Sequence, residues 1–214
     1  FISAEDFELN VSIDNKGKYL IDRLFRKDIF DVLGFASKDG LEFTGGKFNL
    51  ANYLKFTEPK HKSKSGIPVS VNLDTLNITD SFYIDNFSTR FVSDSINGTF
   101  AGLFMGAEPV TGSFGSENGY RFAEILSNDA GAFLQAAGLI KRGAEGKLNL
   151  RINRNADGIK GRLFTESLKI YDLPALAKLL QSLSIIGLLE QMLGQGLFLS
   201  ESEINFRLDD KQYI

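Results

Sequence analysis

Few residues in this sequence have the types and spacing that catalysis requires. The chain contains no cysteine and one histidine, His61, which lies among lysines in a polar stretch. That context predicts a solvated surface residue rather than a general base or a metal ligand. Without cysteine, neither a thiol nucleophile nor a disulfide framework can form. We therefore expect a protein that is not an enzyme.

Two glycine-containing stretches approximate known ligand loops, but each fails at a residue that the chemistry needs. Gly40-x4-Gly45-Gly46-Lys47 is close to a P-loop, yet Phe48 stands where a Mg²⁺-binding Ser or Thr is required. Asn153-x-Asn155-x-Asp157-Gly158 is close to a calcium loop, yet Phe164 replaces the bidentate Glu. Turns are the simpler interpretation of both stretches. We expect no cofactor and no bound metal.

Charge limits the possible partners. The net charge of −3 gives no general attraction to nucleic acid. The stretch 58–66 (EPKHKSKSG) contains Pro, Gly and the cluster Lys60, His61, Lys62 and Lys64, and it predicts a mobile, solvated loop. Contact of this cluster with anionic lipid head groups is the alternative.

Alternation of apolar and polar residues is the dominant pattern, and it predicts strands with one apolar face. Between Lys18 and Ala36 no single period fits, so a strand or a short helix is expected there. Residues 41–56 are predicted to form two short strands joined by a turn at Gly45-Gly46. The alternating apolar residues are Phe7, Leu9, Val11, Ile13, Ile67, Val69, Val71, Leu73, Leu148, Leu150, Ile152, Ile204, Phe206 and Leu208.

Helices interrupt this strand pattern at two places. Asn128-Asp129 is typical of a helix cap, so a short helix is expected near 128–138, ended by Gly138. A longer and more apolar helix, either continuous or broken, is expected near 173–194. The fold class is therefore α+β, mostly antiparallel β, and we expect one domain over residues 1–214.

The predicted helix near 173–194 is too apolar to be left in water. Its uncharged interval between Lys178 and Glu190 is eleven residues long, whereas spanning a bilayer takes about 20. A permanently packed core helix is one interpretation. The other is a cap or gate over the sheet, with Gly187 allowing a bend. The candidate residues for such a gate are Leu176, Leu180, Leu183, Ile186 and Gly187.

The apolar rows on so many strands require an apolar partner. A second sheet packed into an ordinary sandwich core is one possibility, and a groove for acyl chains is another. The sequence leaves both open.

Several stretches carry a resemblance to a known family. They are SNDAGAFLQAAGLIKRGAEGKLNL (127–150), Gly161-x-Leu163, and LKIYDLPALAKLLQSLSIIGLLEQMLGQGLFLSESEINFRL (168–208), followed by Asp209-Asp210. These stretches are similar to the C-terminal region of AsmA-like proteins, and more narrowly of the long YhdP-type members of Gram-negative bacteria. The resemblance extends back through NLDTLNITD (72–80).

The resemblance implies a periplasmic protein anchored to the inner membrane, with a long curved β-sheet groove that supports outer-membrane homeostasis by phospholipid transfer. It implies phospholipid or another acyl lipid as partner, with an envelope or outer-membrane protein as a further partner. The chain begins at Phe1, and we expect it to be a piece of a longer protein whose membrane anchor lies elsewhere. A structural or interaction module that binds partners by strand addition is the alternative function.

Overall fold

The computed structural model describes residues 2–4, 6–37, 39–56, 66–94, 97–117, 120–155, 158–171 and 196–208. Strands account for 71% of it, beside two short helices. The fold class is thus α+β with a dominant, mostly antiparallel sheet, as the alternation predicts.

The chain divides into two compact units. Unit 1 comprises Phe1–Gly106 with Thr111–Asn118, and unit 2 comprises Ala107–Val110 with Gly119–Ile214. The elements of unit 1 are β1 (Ile2–Ala4), β2 (Phe7–Ile13), β3 (Tyr19–Arg26), β4 (Phe30–Ser37), β5 (Gly40–Asn49), α1 (Leu50–Phe56), β6 (Pro68–Asn77), β7 (Tyr83–Val92) and β8 (Gly98–Phe104). Strand β9 (Glu108–Glu117) contributes residues to both units.

Unit 2 continues with a second set of strands around one helix. Its elements are β10 (Tyr120–Ser127), α2 (Ala130–Ala136), β11 (Gly143–Ala144), β12 (Lys147–Asn155), β13 (Gly158–Ile170) and β14 (Leu197–Leu208). Within unit 1 the hydrogen-bonded order runs from β1 to β8, and within unit 2 it is β10, β12, β13 and β11, with β14 also paired with β13.

In unit 1, strands that follow one another in sequence lie side by side, and most of these neighbouring pairs are antiparallel and form hairpins. The exception is β5 with β6, which pair in parallel. A parallel pair needs a crossover connection, and α1 forms part of it. The ambiguous stretch 18–36 is resolved as the two antiparallel strands β3 and β4.

Helix α2 follows the predicted capping pattern. The Asp129 carboxylate accepts a hydrogen bond from the Ala132 amide at 2.8 Å, and Gly138 has φ +70° just beyond the C-terminal end. Such a cap satisfies an otherwise unpaired helix N–H group. The predicted hairpin near Asp157-Gly158 is also confirmed, since β12 and β13 pair up to Asn155 opposite Gly158.

The interpretation of residues 41–56 as two strands about a turn is wrong. Gly45 and Gly46 lie inside the continuous strand β5, and residues 50–56 form α1. The Asn49 side chain accepts a hydrogen bond from the Asn52 amide at 2.9 Å, which is the geometry of a helix N-cap.

Several predictions fall outside the described residues. They are the helix near 173–194 with its gate candidates Leu176, Leu180, Leu183, Ile186 and Gly187, the cluster Lys60, His61, Lys62 and Lys64, and Asp209-Asp210.

Candidate apolar binding face

The four candidate residues of β2 begin rows of side chains that run across unit 1. We use "row" for residues that are direct partners on successive strands, since such residues point to the same side of a sheet. The tip row consists of Ile13, Tyr19, Ala36, Leu41, Val69, Phe91 and Gly98. It connects β2 to β8 without a charged residue.

A second row lies two residues further along each strand and has the same character. This middle row consists of Val11, Ile21, Gly34, Phe43, Val71, Thr89 and Phe100. Val69 and Val71, which the sequence suggests as groove residues, therefore lie in the same rows as Ile13 and Val11. The register brings the β2 and β6 candidates onto one face.

A third row, the base row, lies near the other ends of the strands. It consists of Phe7, Arg26, Phe30, Phe48, Leu76, Ile84 and Phe104. The rings of Phe30 and Phe48 are stacked with centroids 6.2 Å apart. Between the base and middle rows, Leu9 pairs with Leu24, which pairs with Val32, and Leu73 pairs with Phe87. We call these residues and the three rows the apolar face.

Bulges keep the base row on this face. Phe43 and Phe48 are five residues apart, and strict alternation would place them on opposite sides of β5. Relative to β4, strand β5 contains one extra residue at Gly45 and Gly46, which have φ of +67° and +73°. Because of this extra residue, Phe48 lies on the same side of β5 as Phe43. The Gly46 amide donates a hydrogen bond to Asp74 Oδ2 at 2.7 Å, which ties the bulge to β6.

The other side of the same strands is more polar and carries ion pairs. Arg23 donates two hydrogen bonds of 2.9 Å to Asp31 and lies 3.1 Å from Glu8 Oε2. The hydrogen bonds from Arg23 lower the pKa of Asp31, and the same bonds raise the pKa of Arg23. An open cavity of about 320 Å³ near the Gly45-Gly46 bulge is bordered by residues of both sides, namely Thr44, Gly45, Asn72, Leu73, Asp74, Asn86, Phe87 and Ser88.

Exposure varies along the apolar face. Val69, Leu73 and Phe87 are buried, whereas Ile13 at the β2 end of the tip row is 62% exposed. Helix α1 reaches the base row, where the Tyr53 ring lies 5.3 Å from that of Phe48. The tip row is thus most exposed at its β2 end.

Unit 2 contains its own apolar rows, and they include the remaining strand candidates. One row consists of Ile125, Leu150, Leu163 and Ile204, and the next consists of Ala123, Ile152, Gly161 and Phe206. The Phe206 ring lies directly over Gly161, where any Cβ would overlap it. In an adjacent row of Ser127, Leu148, Thr165 and Ser202, three of the four side chains carry hydroxyl groups, and a 2.6 Å hydrogen bond joins those of Thr165 and Ser202.

The opposite side of unit 2 is polar, as in unit 1. Asn149 donates a hydrogen bond to Glu124 at 2.9 Å, and Arg162 donates one to Glu203 at 2.7 Å. The bond from Arg162 lowers the pKa of Glu203. Both units therefore have one apolar and one polar side.

Two strand candidates stand apart from these rows. Ile67 precedes β6 and is exposed, with its amide donating to Ser93 Oγ at 3.0 Å. Leu208 pairs through its backbone with Ile159, while its side chain lies outside the described residues. Sequence reasoning missed the apolar-face residues of β3, β4, β5, β7 and β8. In β8 a sequence signal was present, since Phe100, Gly102 and Phe104 occupy alternate positions and so share one side of the strand.

Gly45 and Gly46 form the β5 bulge, and Lys47 is exposed. Over the described ranges, no three His, Asp or Glu side chains are grouped as a metal site would need. No helix within those ranges is long and apolar enough to cross a membrane.

Comparison with known proteins gives no relative: no family model matches the chain, and no curated protein or solved structure does.

Proposed function

We propose that the chain is a non-enzymatic lipid-binding module that transfers phospholipid in the envelope of a Gram-negative bacterium and supports outer-membrane biogenesis. On this proposal it belongs to the AsmA-like proteins, resides in the periplasm and is held at the inner membrane by a segment outside this sequence. Acyl chains lie along the apolar side of the sheet, which acts as a groove, while head groups stay in water.

The observation that carries the proposal is the pair of uncharged rows that cross seven strands of unit 1 in register. Strands lie about 4.8 Å apart, so seven strands span about 29 Å. The hydrocarbon core of a whole bilayer is about 30 Å thick, so one acyl chain occupies about half of that length. Each row is long enough to hold an extended acyl chain lying across the strands.

The chemistry of the face fits such a ligand. Burial of apolar area is favourable and non-directional, so a chain can slide along the rows without breaking specific bonds. The tip and middle rows contain two side chains with hydroxyl groups, Tyr19 and Thr89, and the Thr89 hydroxyl donates to the Thr99 carbonyl at 2.7 Å. That hydrogen bond satisfies the donor within the protein. No covalent step and no cofactor is required.

Photo-crosslinking tests the proposal. A photo-reactive residue at Val71 in the middle row, or at Leu150 in unit 2, is expected to label co-purifying phospholipid detectable by mass spectrometry. Matched controls are Ser70 and Asn149, the preceding residues on the same strands, which point to the polar side. Equal labelling at the test and control positions, or lipid-free protein that transfers no lipid between liposomes, would contradict the proposal.

The second candidate is a structural or interaction module that binds a partner by strand addition. The twelve-residue strand β14 favours it, because within the described chain β14 pairs with β13 only. An unpaired edge presents a row of N–H and C=O groups to an extended partner. If this function is correct, photo-reactive residues in β14 are expected to crosslink to a partner protein, and those at Val71 and Leu150 are expected to label no lipid.

A further inference from the structure

The β2–β3 hairpin ends in a cluster of exposed apolar side chains. Ile13 and Tyr19 are direct partners and are 62% and 53% exposed, and Val11 beside them is 42% exposed. We call these three residues the tip patch. They are the first members of the tip and middle rows, so the patch is continuous with the apolar face.

The tip patch is contiguous, since Ile13 and Tyr19 are direct partners and Val11 lies two residues before Ile13 on the same strand. Exposed apolar residues elsewhere, such as Leu33 and Leu139, do not continue the three rows. Scattered apolar residues are ordinary on protein surfaces, whereas contiguous apolar patches mark interaction sites.

The hairpin turn places a cation beside the patch. Asp14 Oδ1 accepts hydrogen bonds from the amides of Lys16 and Lys18 at 2.8 and 2.9 Å, and Gly17 takes φ +75° to complete the turn. The Asp14 carboxylate is therefore engaged by backbone donors. Lys18 Nζ lies 2.9 Å from the centroid of the Phe35 ring, which leaves Lys16 as the exposed ammonium of the turn.

We propose that the tip patch docks on a lipid bilayer whose surface carries anionic head groups. Ile13 and Val11 enter the acyl boundary, Tyr19 lies at the interface with its hydroxyl in water, and Lys16 meets lipid phosphate. Tyrosine and lysine are the residues that membrane interfaces favour beside an apolar anchor. The docked bilayer lies beside the β2 end of the tip and middle rows, where acyl chains leave the membrane for the apolar face. This role in transfer rests on the proposed function, whereas docking itself does not.

The chain has no tryptophan, so one introduced indole reports on docking. Ile13→Trp is expected to shift its emission to the blue and to be quenched by brominated phosphatidylcholine in vesicles. Leu33→Trp is the matched control: Leu33 is 51% exposed on the polar side of the same unit, opposite Thr44. It is expected to show neither change.

Loss of docking is measured by co-sedimentation with vesicles of phosphatidylethanolamine and phosphatidylglycerol. The double variant Ile13→Ser with Tyr19→Ser is expected to bind at least about tenfold more weakly, because two apolar side chains no longer enter the membrane. Leu33→Ser is expected to bind as the parent does. Lys16→Gln is expected to weaken binding about fivefold on these vesicles and to leave binding to pure phosphatidylcholine unchanged. Matching circular dichroism spectra and urea midpoints establish that the variants are folded.

The docking proposal is overturned if the double variant binds vesicles as strongly as the parent protein does, or if the two introduced indoles are quenched equally. Lipid labelling at Val71 separates this result from the proposed function. If Val71 labels lipid while the double variant still sediments, the lipid-binding function stands and docking at the tip patch is wrong. If the tip patch docks and Val71 labels no lipid, docking stands and the proposed transfer function is wrong.

Discussion

Replacing Gly46 with alanine is expected to destabilise unit 1 far more than the same change at Gly45. Both glycines have left-handed backbone conformations, with φ of +73° and +67°. A Cβ on Gly45 meets nothing closer than Asp74 Oδ2 at 3.8 Å. A Cβ on Gly46 overlaps the Asp31 carbonyl oxygen and lies 3.3 Å from the Val32 Cα, and both are backbone atoms.

The two costs can be separated. The left-handed conformation costs alanine about 1–2 kcal/mol at either position. At Gly46 the overlap adds about 1–3 kcal/mol, because β4 must shift to admit the methyl group. We therefore expect a loss of about 1–2 kcal/mol for Gly45→Ala and about 2–5 kcal/mol for Gly46→Ala.

Urea unfolding measures this difference. With a slope of about 2 kcal/mol per molar, Gly45→Ala lowers the midpoint by about 0.5–1 M and Gly46→Ala by about 1–2.5 M. The reasoning is refuted if the two variants have the same midpoint. In that case Gly46 would not face the Asp31 carbonyl, and the pair would behave as the simple hairpin turn that the sequence suggests.

Three further predictions follow from described contacts. Arg23→Gln is expected to raise the pKa of Asp31 toward its ordinary value of 3.8, as measured by NMR titration. Since the folded pKa is the lower one, the ion pair stabilises the protein above 3.8 and its contribution is lost as the pH falls through the folded pKa; an unchanged Asp31 titration would contradict this pairing. Leu148→Ala, at a site 2% exposed, is expected to cost about 2–5 kcal/mol, whereas Leu126→Ala, at a site 42% exposed, changes the unfolding free energy by less than about 0.5 kcal/mol; similar losses for both would show that Leu148 is not in a packed core. Gly161→Ala is expected to displace the Phe206 ring, and the double change with Phe206→Ala is expected to recover stability relative to Gly161→Ala alone; absence of recovery in thermal unfolding would count against the contact.

The strands were predictable where their evidence is local. Phe7, Leu9, Val11 and Ile13 alternate within one strand, and the structure places all four in rows on one face. The short helix near 128–138 was predictable for the same reason, since Asp129 caps α2 three residues from its partner amide. Apolar alternation with a period of two and a capping side chain are both signals between residues only a few positions apart, so they can be recognised from the sequence alone.

Register was not predictable, because it depends on residues far apart in sequence. Nothing near Val11 indicates that Val71 occupies the same row four strands away. The Gly45-Gly46 pair is compatible with a turn or a bulge, since both need left-handed backbone. Only the partner strand β4 distinguishes them. Helix α1 was missed although Asn49 is a capping residue, because the apolar residues around it also suit a strand.

The parallel join of β5 to β6 has a consequence for how unit 1 folds. The hairpins among β1 to β5, and those that follow β6, each close over a few residues and can form early and independently. The join spans residues 50–67, and closing a connection of that length costs about 1–2 kcal/mol more than closing a three-residue hairpin loop. Strands β1–β5 and β6–β8 would then be two early-forming halves, and the slowest step would be the one that aligns Phe43 with Val71.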